Sequence, residues 1–343
     1  MIPPDPDPSG PTSESPSDLP VVRPGASTFT IDGRSAPALF VVGWLATLAG
    51  LVAIAIALMA GDSTAARVLL IGGLVSLSLG LIAGAGSQAI ERRARGVLAY
   101  RGPSPLLLFA ASVPVSVLAI FGLGLAFSLV ALDVDGPPAR LASVIVQAVI
   151  YAGLIRLLVV DAGALSWAEM GIRRPDGAAL IEFLRGAFWA APVILLTLPV
   201  AALIFQLLPV TPVSPLPPAG ETGGFIVNLL AGAVIAPLGE ELLFRGLATT
   251  AWVRGMGERR GLVRAALFFA VVHVLTISGS NAGEALGLAV AAFVVRVPVA
   301  LALGWLFVRR GTIWAPIGLH ATFNALLVVI AEVAARNGAV PPA

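Results

Sequence analysis

The chain has 343 residues, of which 58% are hydrophobic and only 12% are charged. A soluble globular protein carries about a quarter charged residues, so this composition cannot cover a water-exposed surface. It excludes a soluble enzyme, a disordered protein and a nucleic-acid binder. It indicates an integral membrane protein, so the lipid bilayer is a predicted partner.

All basic residues are arginine: 21 of them stand against 19 acidic residues, which gives a net charge of +2. The chain therefore lacks the large basic excess that nucleic-acid binding needs. It has no cysteine, which excludes disulfides, thiol nucleophiles and cysteine-bound metals. The absence of lysine, with abundant alanine, glycine, arginine and proline, is typical of a GC-rich bacterial genome, so we expect a multi-pass protein of the bacterial cytoplasmic membrane.

The first 36 residues are crowded with proline, serine, aspartate and glycine, and they predict a disordered cytoplasmic tail. This tail lacks the basic region followed by an apolar region of a cleavable signal peptide, so the first hydrophobic segment is expected to stay as an anchor. The predicted organisation has four parts: the tail 1–36, N-terminal membrane helices 37–160, a functional core 161–335, and a C-terminal tail 336–343.

Nine segments are apolar and long enough to be candidates for crossing about 30 Å of hydrocarbon, although the seventh is short. They are 37–60, 67–88, 105–131, 141–160, 187–209, 225–247, 265–280, 286–308 and 312–335. With the N-terminus in the cytoplasm, sixteen arginines fall on the cytoplasmic side and only Arg67, Arg140 and Arg336 fall outside. Because lipid leaves only helices or closed barrels available, the sequence predicts an all-α polytopic bundle of about nine transmembrane helices.

The segment 161–186 is too polar to span the bilayer, but it carries apolar residues between its charges. This pattern is typical of an amphipathic element that lies in the interface.

Three polar clusters interrupt the predicted spans. In the sixth span, Glu241 and Arg245 are four residues apart and can pair, while Glu240 points about 100° away on the helix. In the seventh span, Phe269 lies one turn before His273 and can stack on it. In the ninth span, His320 and Asn324 share one face of the helix.

The three clusters are predicted to lie at a similar depth in the membrane. Counted from the predicted cytoplasmic ends at about 1.5 Å per residue, Glu240 lies roughly 10 Å and both histidines roughly 12 Å inside. His273 and His320 are the two histidines of the chain. Since charged and polar groups in a bilayer are costly, they are expected to converge on a polar cavity that opens to the cytoplasm.

A carboxylate, two imidazoles and water favour hydrolysis. A glutamate can take a proton from water and return it to a leaving amine, while an imidazole or carboxamide stabilises the oxyanion. The sequence has neither His-Glu-x-x-His nor Gly-x-Ser-x-Gly, the signatures of soluble zinc and serine hydrolases.

Two other functions compete with hydrolysis. One is a non-enzymatic immunity or scaffold protein that keeps the fold. The other is a proton-coupled transporter, since buried glutamate and histidine also build proton relays, although no pair of interrupted helices in matching halves is visible.

The three motifs, Glu240-Glu241-x-x-x-Arg245, Phe269-x-x-x-His273 and His320-x-x-x-Asn324, resemble those of the CPBP intramembrane protease family. This family includes the type II CAAX prenyl endopeptidases and bacteriocin-processing or immunity proteins. The flanking stretches Ser166–Pro175 and Arg310–Pro316 are also similar, so the resemblance covers roughly 161–330.

The resemblance implies roles for the motif residues. Glu240 would be the general base that activates water, with help from His273, and His320 and Asn324 would hold the oxyanion or a metal. Glu241 and Arg245 would fix the helix end as a pair. His273 and His320, with Glu240 and Asn324, are also the candidate ligands of one divalent metal such as zinc, a requirement that the resemblance leaves open. The implied substrate is a membrane-associated peptide or protein.

Arg296 lies near the middle of the eighth predicted span, where an unpaired guanidinium is costly. We expect it to pair with a carboxylate or with helix-end carbonyls. The alternative is that it anchors a carboxylate of the substrate.

Overall fold

The computed structural model describes residues 29–31, 34–36, 38–94, 98–208, 210, 218–275 and 277–338. Strands β1 (Phe29–Ile31) and β2 (Arg34–Ala36) pair as a short antiparallel ladder. The composition of the tail 1–36 did not predict these strands, and the rest of that tail lies outside the described residues.

The described chain is otherwise almost entirely helical. Its α-helices are α1 (Ala38–Met59), α2 (Thr64–Ala94), α3 (Pro105–Leu129), α4 (Pro137–Ile155), α5 (Gly177–Leu207), α6 (Thr222–Leu230), α7 (Ala236–Glu241), α8 (Thr250–Met256), α9 (Glu258–Val272), α10 (Ala282–Arg310) and α11 (Trp314–Arg336). Wider π turns occupy Arg156–Val160, Ala231–Ile235 and Leu242–Thr249. The last two join α6, α7 and α8 into one continuous helix, Thr222–Met256.

Eight helices of the described chain are long and apolar enough to cross a membrane. This confirms the predicted polytopic helical bundle. The prediction of nine spans is wrong for the seventh, 265–280, because the chain leaves the helix at His273. The resulting α9 has 15 residues, about 22 Å at about 1.5 Å per residue, and is too short to cross alone.

The segment 161–186 differs from the interfacial element predicted for it. Residues 161–176 form turns, and residues 177–186 are the first part of α5. The turns dock on the start of α11, where the Ile313 amide donates to the Gly171 carbonyl at 3.1 Å and the Trp314 indole donates to the Arg173 carbonyl at 3.1 Å. The stretches Ser166–Pro175 and Arg310–Pro316 therefore lie against each other.

Glu169 ties the same turns to the end of α8. Its carboxylate accepts hydrogen bonds from Ser166 at 2.7 and 2.8 Å and from Arg254 at 3.0 Å. These bonds, those from Ser166 first, lower the pKa of Glu169 to about 2. The carboxylate thus stays charged, and the contact stays in place, throughout the neutral range.

Helices α5 and α11 cross at two glycines. A Cβ added at Gly186 would overlap the Ala315 carbonyl oxygen, and one added at Gly318 would overlap the Phe183 carbonyl oxygen. Small residues allow this close approach of membrane helices. The crossing fixes the position of α11, which carries His320 and Asn324.

Replacing Gly186 with alanine should therefore destabilise the protein, because the added methyl meets rigid backbone. Overpacking of this kind costs about 1–3 kcal/mol, measurable as a loss of unfolding free energy in a fixed detergent. The control is Gly124→Ala, since Gly124 lies in α3 and a Cβ there meets nothing within 4 Å. Equal stability of the two variants would contradict the close crossing.

Candidate active site

Both glutamates of the first motif lie on the short helix α7, between two π turns. A π turn inserts one extra residue per turn and changes the direction in which the following side chains point. Glu241 is fully buried in the core, whereas the Glu240 side chain is 24% exposed. The two neighbouring carboxylates therefore have different surroundings.

Glu241 is the centre of a buried charge network. Its Oε1 atom accepts a hydrogen bond from Arg245 at 2.8 Å, which confirms the predicted pair, and it also lies 2.8 Å from Nδ1 of His320. The Arg245 guanidinium lies 4.5 Å from the centre of the Phe269 ring. Residues from all three motifs thus meet in one network.

Glu240 faces both histidines. Its Oε2 atom lies 3.4 Å from Nε2 of His273 and 3.8 Å from Nε2 of His320. The predicted convergence of a carboxylate and two imidazoles from separate helices is therefore present in the fold. His273 follows the last residue of α9 rather than lying inside a span, and its ring centre is 4.3 Å from that of Phe269.

The partners of Nδ1 determine how each imidazole is oriented. Nδ1 of His273 lies 2.8 Å from the Phe269 carbonyl oxygen, which can only accept, so this nitrogen carries a proton. Nδ1 of His320 faces the Glu241 carboxylate, which already accepts from Arg245, so it also carries a proton. Both histidines therefore present Nε2 to Glu240.

This orientation places three acceptors together when the imidazoles are neutral. Nε2 of His273, Nε2 of His320 and Oε2 of Glu240 all offer lone pairs to one small space. Acceptors that face each other need a shared proton or a bridging water to be compatible. The arrangement is thus suited to hold a water molecule and to move a proton between carboxylate and imidazole.

Asn324 lies beside this group, but its first contact is to backbone. Its Nδ2 atom donates to the Gly232 carbonyl at 2.8 Å, within the π turn Ala231–Ile235. A carboxamide has two N–H groups, so one remains for another partner. The sequence did not predict the contact with Gly232, because nothing local marks a pairing between residues so distant along the chain.

The site opens into a cavity of about 370 Å³. Glu240, His273, His320 and Asn324 line it, and most of its remaining lining is apolar, contributed by Val144, Ile194, Leu198, Val295, Val299, Phe323 and Leu327. A largely apolar cavity with a few polar groups suits an apolar chain whose peptide group reaches those polar residues.

Arg296 lines the same cavity. Its guanidinium donates to the Ala292 carbonyl one turn back in α10, at 3.1 Å. Among the described residues, the expected pairing with a carboxylate or a helix-end carbonyl is therefore wrong, because the guanidinium donates to a carbonyl inside its own helix.

The described residues contain no group of three or more His, Asp or Glu side chains that could hold a metal ion. Nε2 of each histidine is directed at the Glu240 carboxylate, and Nδ1 of each is occupied by a carbonyl or by Glu241. We derive no step through a metal.

Residues 222–326 match the family model described as Type II CAAX prenyl endopeptidase Rce1-like. This match confirms the resemblance over less than half of the chain and includes every motif residue, Glu240, Glu241, Arg245, Phe269, His273, His320 and Asn324. It leaves out the upstream part of the resemblance, 161–221. No curated protein and no solved structure matches the chain.

Proposed function

We propose that this protein is an intramembrane endopeptidase that hydrolyses a peptide bond of a membrane-associated peptide or protein. The protease family that matches residues 222–326 supports a hydrolase. The observation that carries the proposal is the approach of Glu240 Oε2 to Nε2 of both histidines within one cavity.

In the proposed reaction, the substrate's scissile peptide group enters the cavity beside Glu240 and His273. Glu240 and Nε2 of His273 hold a water molecule between them, and Glu240 takes one of its protons as the oxygen attacks the carbonyl carbon. The C–O bond forms, the proton moves from Glu240 to the nitrogen, and the C–N bond breaks. The products are a carboxylate and an amine.

The negative charge that develops on the carbonyl oxygen needs a donor. Asn324 has a second N–H beside the one that binds Gly232. His320, whose Nδ1 faces the Glu241 carboxylate, is a second donor at Nε2 when its imidazole carries both protons. Preorganised donors of this kind contribute about 10²–10³-fold to the rate when they face the transition-state oxyanion.

The largely apolar lining of the cavity supports a substrate that is itself embedded in or anchored to the membrane. The arginine distribution over the first six predicted spans, which does not depend on the seventh, supports a site that opens to the cytoplasm. A cleavable peptide would therefore approach from the bilayer and leave its new polar ends at the cytoplasmic surface.

Comparison of membrane peptides from cells that carry the wild-type chain or Glu240→Gln tests this function and requires no candidate substrate. We expect at least one membrane-associated precursor to accumulate in the variant while its shorter product disappears. Identical peptide patterns at equal protein levels would contradict proteolysis and favour an immunity or scaffold role.

Chelation provides a separate prediction. Because the proposed reaction activates water with Glu240 and His273 alone, prolonged dialysis of the purified protein against a strong chelator should leave cleavage of the identified substrate unchanged. Activity that is lost on chelation and restored by a single divalent metal would overturn the metal-free reaction and leave the family assignment intact.

A further inference from the structure

We propose that the exposed face of α9 and the cavity beside it bind an anionic phospholipid, with the headgroup phosphate between Arg92 and Arg264. The site lies apart from Glu240 and its histidines and does not depend on the proposed reaction. It rests on a basic cavity, a guanidinium stacked on an aromatic ring, and an apolar helix face that continues from them.

The cavity has a volume of about 690 Å³. It is lined by the end of α2, by residues 98–105 that follow this helix, and by the corner where α8 meets α9. Arg92 and Arg264 both line it, and Glu91 is the carboxylate that shares the lining. A neighbouring cavity of about 500 Å³ is lined by Arg259, Arg260 and again Arg264, with two apolar residues. The excess of guanidinium groups favours an anion.

Arg264 is held in a way that leaves its donors available. Its guanidinium lies 4.9 Å from the centre of the buried Trp252 ring. Stacking on an aromatic face leaves the N–H edge of a guanidinium free to bind a phosphate. Within the part of the chain that the structure describes, Arg264 forms no ion pair with a carboxylate.

Arg92 is positioned from the other side of the cavity. Its Nη1 atom donates to the Gly102 carbonyl at 2.8 Å, which fixes the side chain against the connection between α2 and α3. The remaining N–H groups of this guanidinium can bind a second oxygen of the same anion.

The exposed face of α9 identifies the anion as a lipid. Residues 260, 264, 267 and 271 lie on one side of the helix, since they are three or four residues apart. The first two are exposed arginines, and Leu267 and Val271 are 42% and 44% exposed. Along the helix, the exposed face is therefore first charged and then apolar. A phospholipid that lies beside it presents its phosphate and its acyl chain in the same order.

A soluble anion would not need this apolar continuation. From Arg264 to Val271 the helix rises about 10 Å, at about 1.5 Å per residue, which is enough to contact the upper part of an acyl chain. Basic pockets between membrane helices are known headgroup sites on the arginine-rich side of a bilayer. The opposite face of α9 carries the buried residues Ala265, Ala266 and Phe269, so lipid meets the helix on its exposed side.

The test measures binding of dioleoyl phosphatidylglycerol to the purified full-length chain in a neutral detergent. Binding is followed by the shift of the thermal unfolding midpoint and by native mass spectrometry, with dioleoyl phosphatidylcholine as the matched neutral lipid. We expect only the anionic lipid to raise the midpoint and to remain bound. One arginine near a membrane surface contributes about fivefold in affinity, so Arg92→Gln/Arg264→Gln should weaken binding about thirtyfold.

The matched control is Arg309→Gln, because Arg309 is an exposed arginine at the end of α10 and lines neither cavity. It should bind the anionic lipid like the wild type. Unchanged lipid affinity in the double variant would overturn the proposal. Glycerol phosphate or inorganic phosphate that competes with the lipid at equal concentration would also overturn it, by showing a site for a small anion.

Photocrosslinking of the wild type keeps the proposal testable if the double variant does not fold. A phosphatidylglycerol with a photoreactive group in its acyl chain should label the peptide that contains Leu267 and Val271. Labelling confined to other helices would place the lipid elsewhere and contradict the assignment.

Discussion

Replacing Glu241 with glutamine should destabilise the protein by about 3–5 kcal/mol, the usual result of removing one partner of a buried ion pair. Arg245 is 2% exposed, and its Nη1 atom lies 2.8 Å from Glu241. Without the carboxylate, the guanidinium keeps its charge in a dry environment and has only neutral acceptors, the amide oxygen of the new glutamine and the Ala300 carbonyl at 3.4 Å. The free energy of unfolding in a fixed detergent measures the loss.

A surface pair provides the control for Glu241→Gln. Asp62 and Arg67 are 2.7 Å apart, but their side chains are 77% and 68% exposed. Asp62→Asn should change stability by about 1 kcal/mol or less, because exposed pairs contribute little. Equal losses in the two variants would show that the Glu241 network is not a buried one.

Removing both charges separates stability from chemistry at the same site. Glu241→Leu/Arg245→Met should recover much of the stability, because apolar residues of similar size often replace buried ion pairs without cost. It should not recover activity, since Nδ1 of His320 loses the carboxylate that orients it. A double variant with wild-type cleavage would show that Glu241 has no part in placing His320.

Local patterns in the sequence predicted the fold well. Length and hydropathy identified eight helices that the structure confirms, and the spacing of Glu241 and Arg245 predicted their pair. The short α9 was predicted as a full span because 273–280 continues with several apolar residues. The turn at His273 became visible only in the fold, where Nδ1 of His273 binds the Phe269 carbonyl near the helix end.

Most contacts between residues far apart along the chain could not be predicted from the sequence. Depth along separate helices predicted that Glu240 would meet both histidines, but nothing in the spacing indicated that Glu241 would contact His320 rather than only Arg245. Nor did the spacing indicate that Asn324 would donate to the carbonyl of Gly232, which lies in a π turn. Glu332 is a further example: it is buried near the end of α11 and accepts from the Ala219 amide at 2.9 Å.

Glu240→Gln should lower kcat for the identified substrate by about 10²–10⁴-fold, the usual contribution of a general base. The amide keeps the size of the side chain but cannot take a proton from water. Because Glu240 is at the cavity surface and has no arginine within ion-pair distance among the described residues, we expect little change in stability. A similar KM in the variant would show that substrate still binds.

The role of Glu240 as the base is measured by single-turnover cleavage of that substrate in proteoliposomes, with the wild type, Glu240→Gln and the control Glu258→Gln. Glu258 is an exposed carboxylate at the start of α9, so its loss should leave the rate unchanged. We expect a wild-type rate for the control and nearly complete loss for Glu240→Gln, with both proteins folded. Cleavage by folded Glu240→Gln at the wild-type rate would contradict this role.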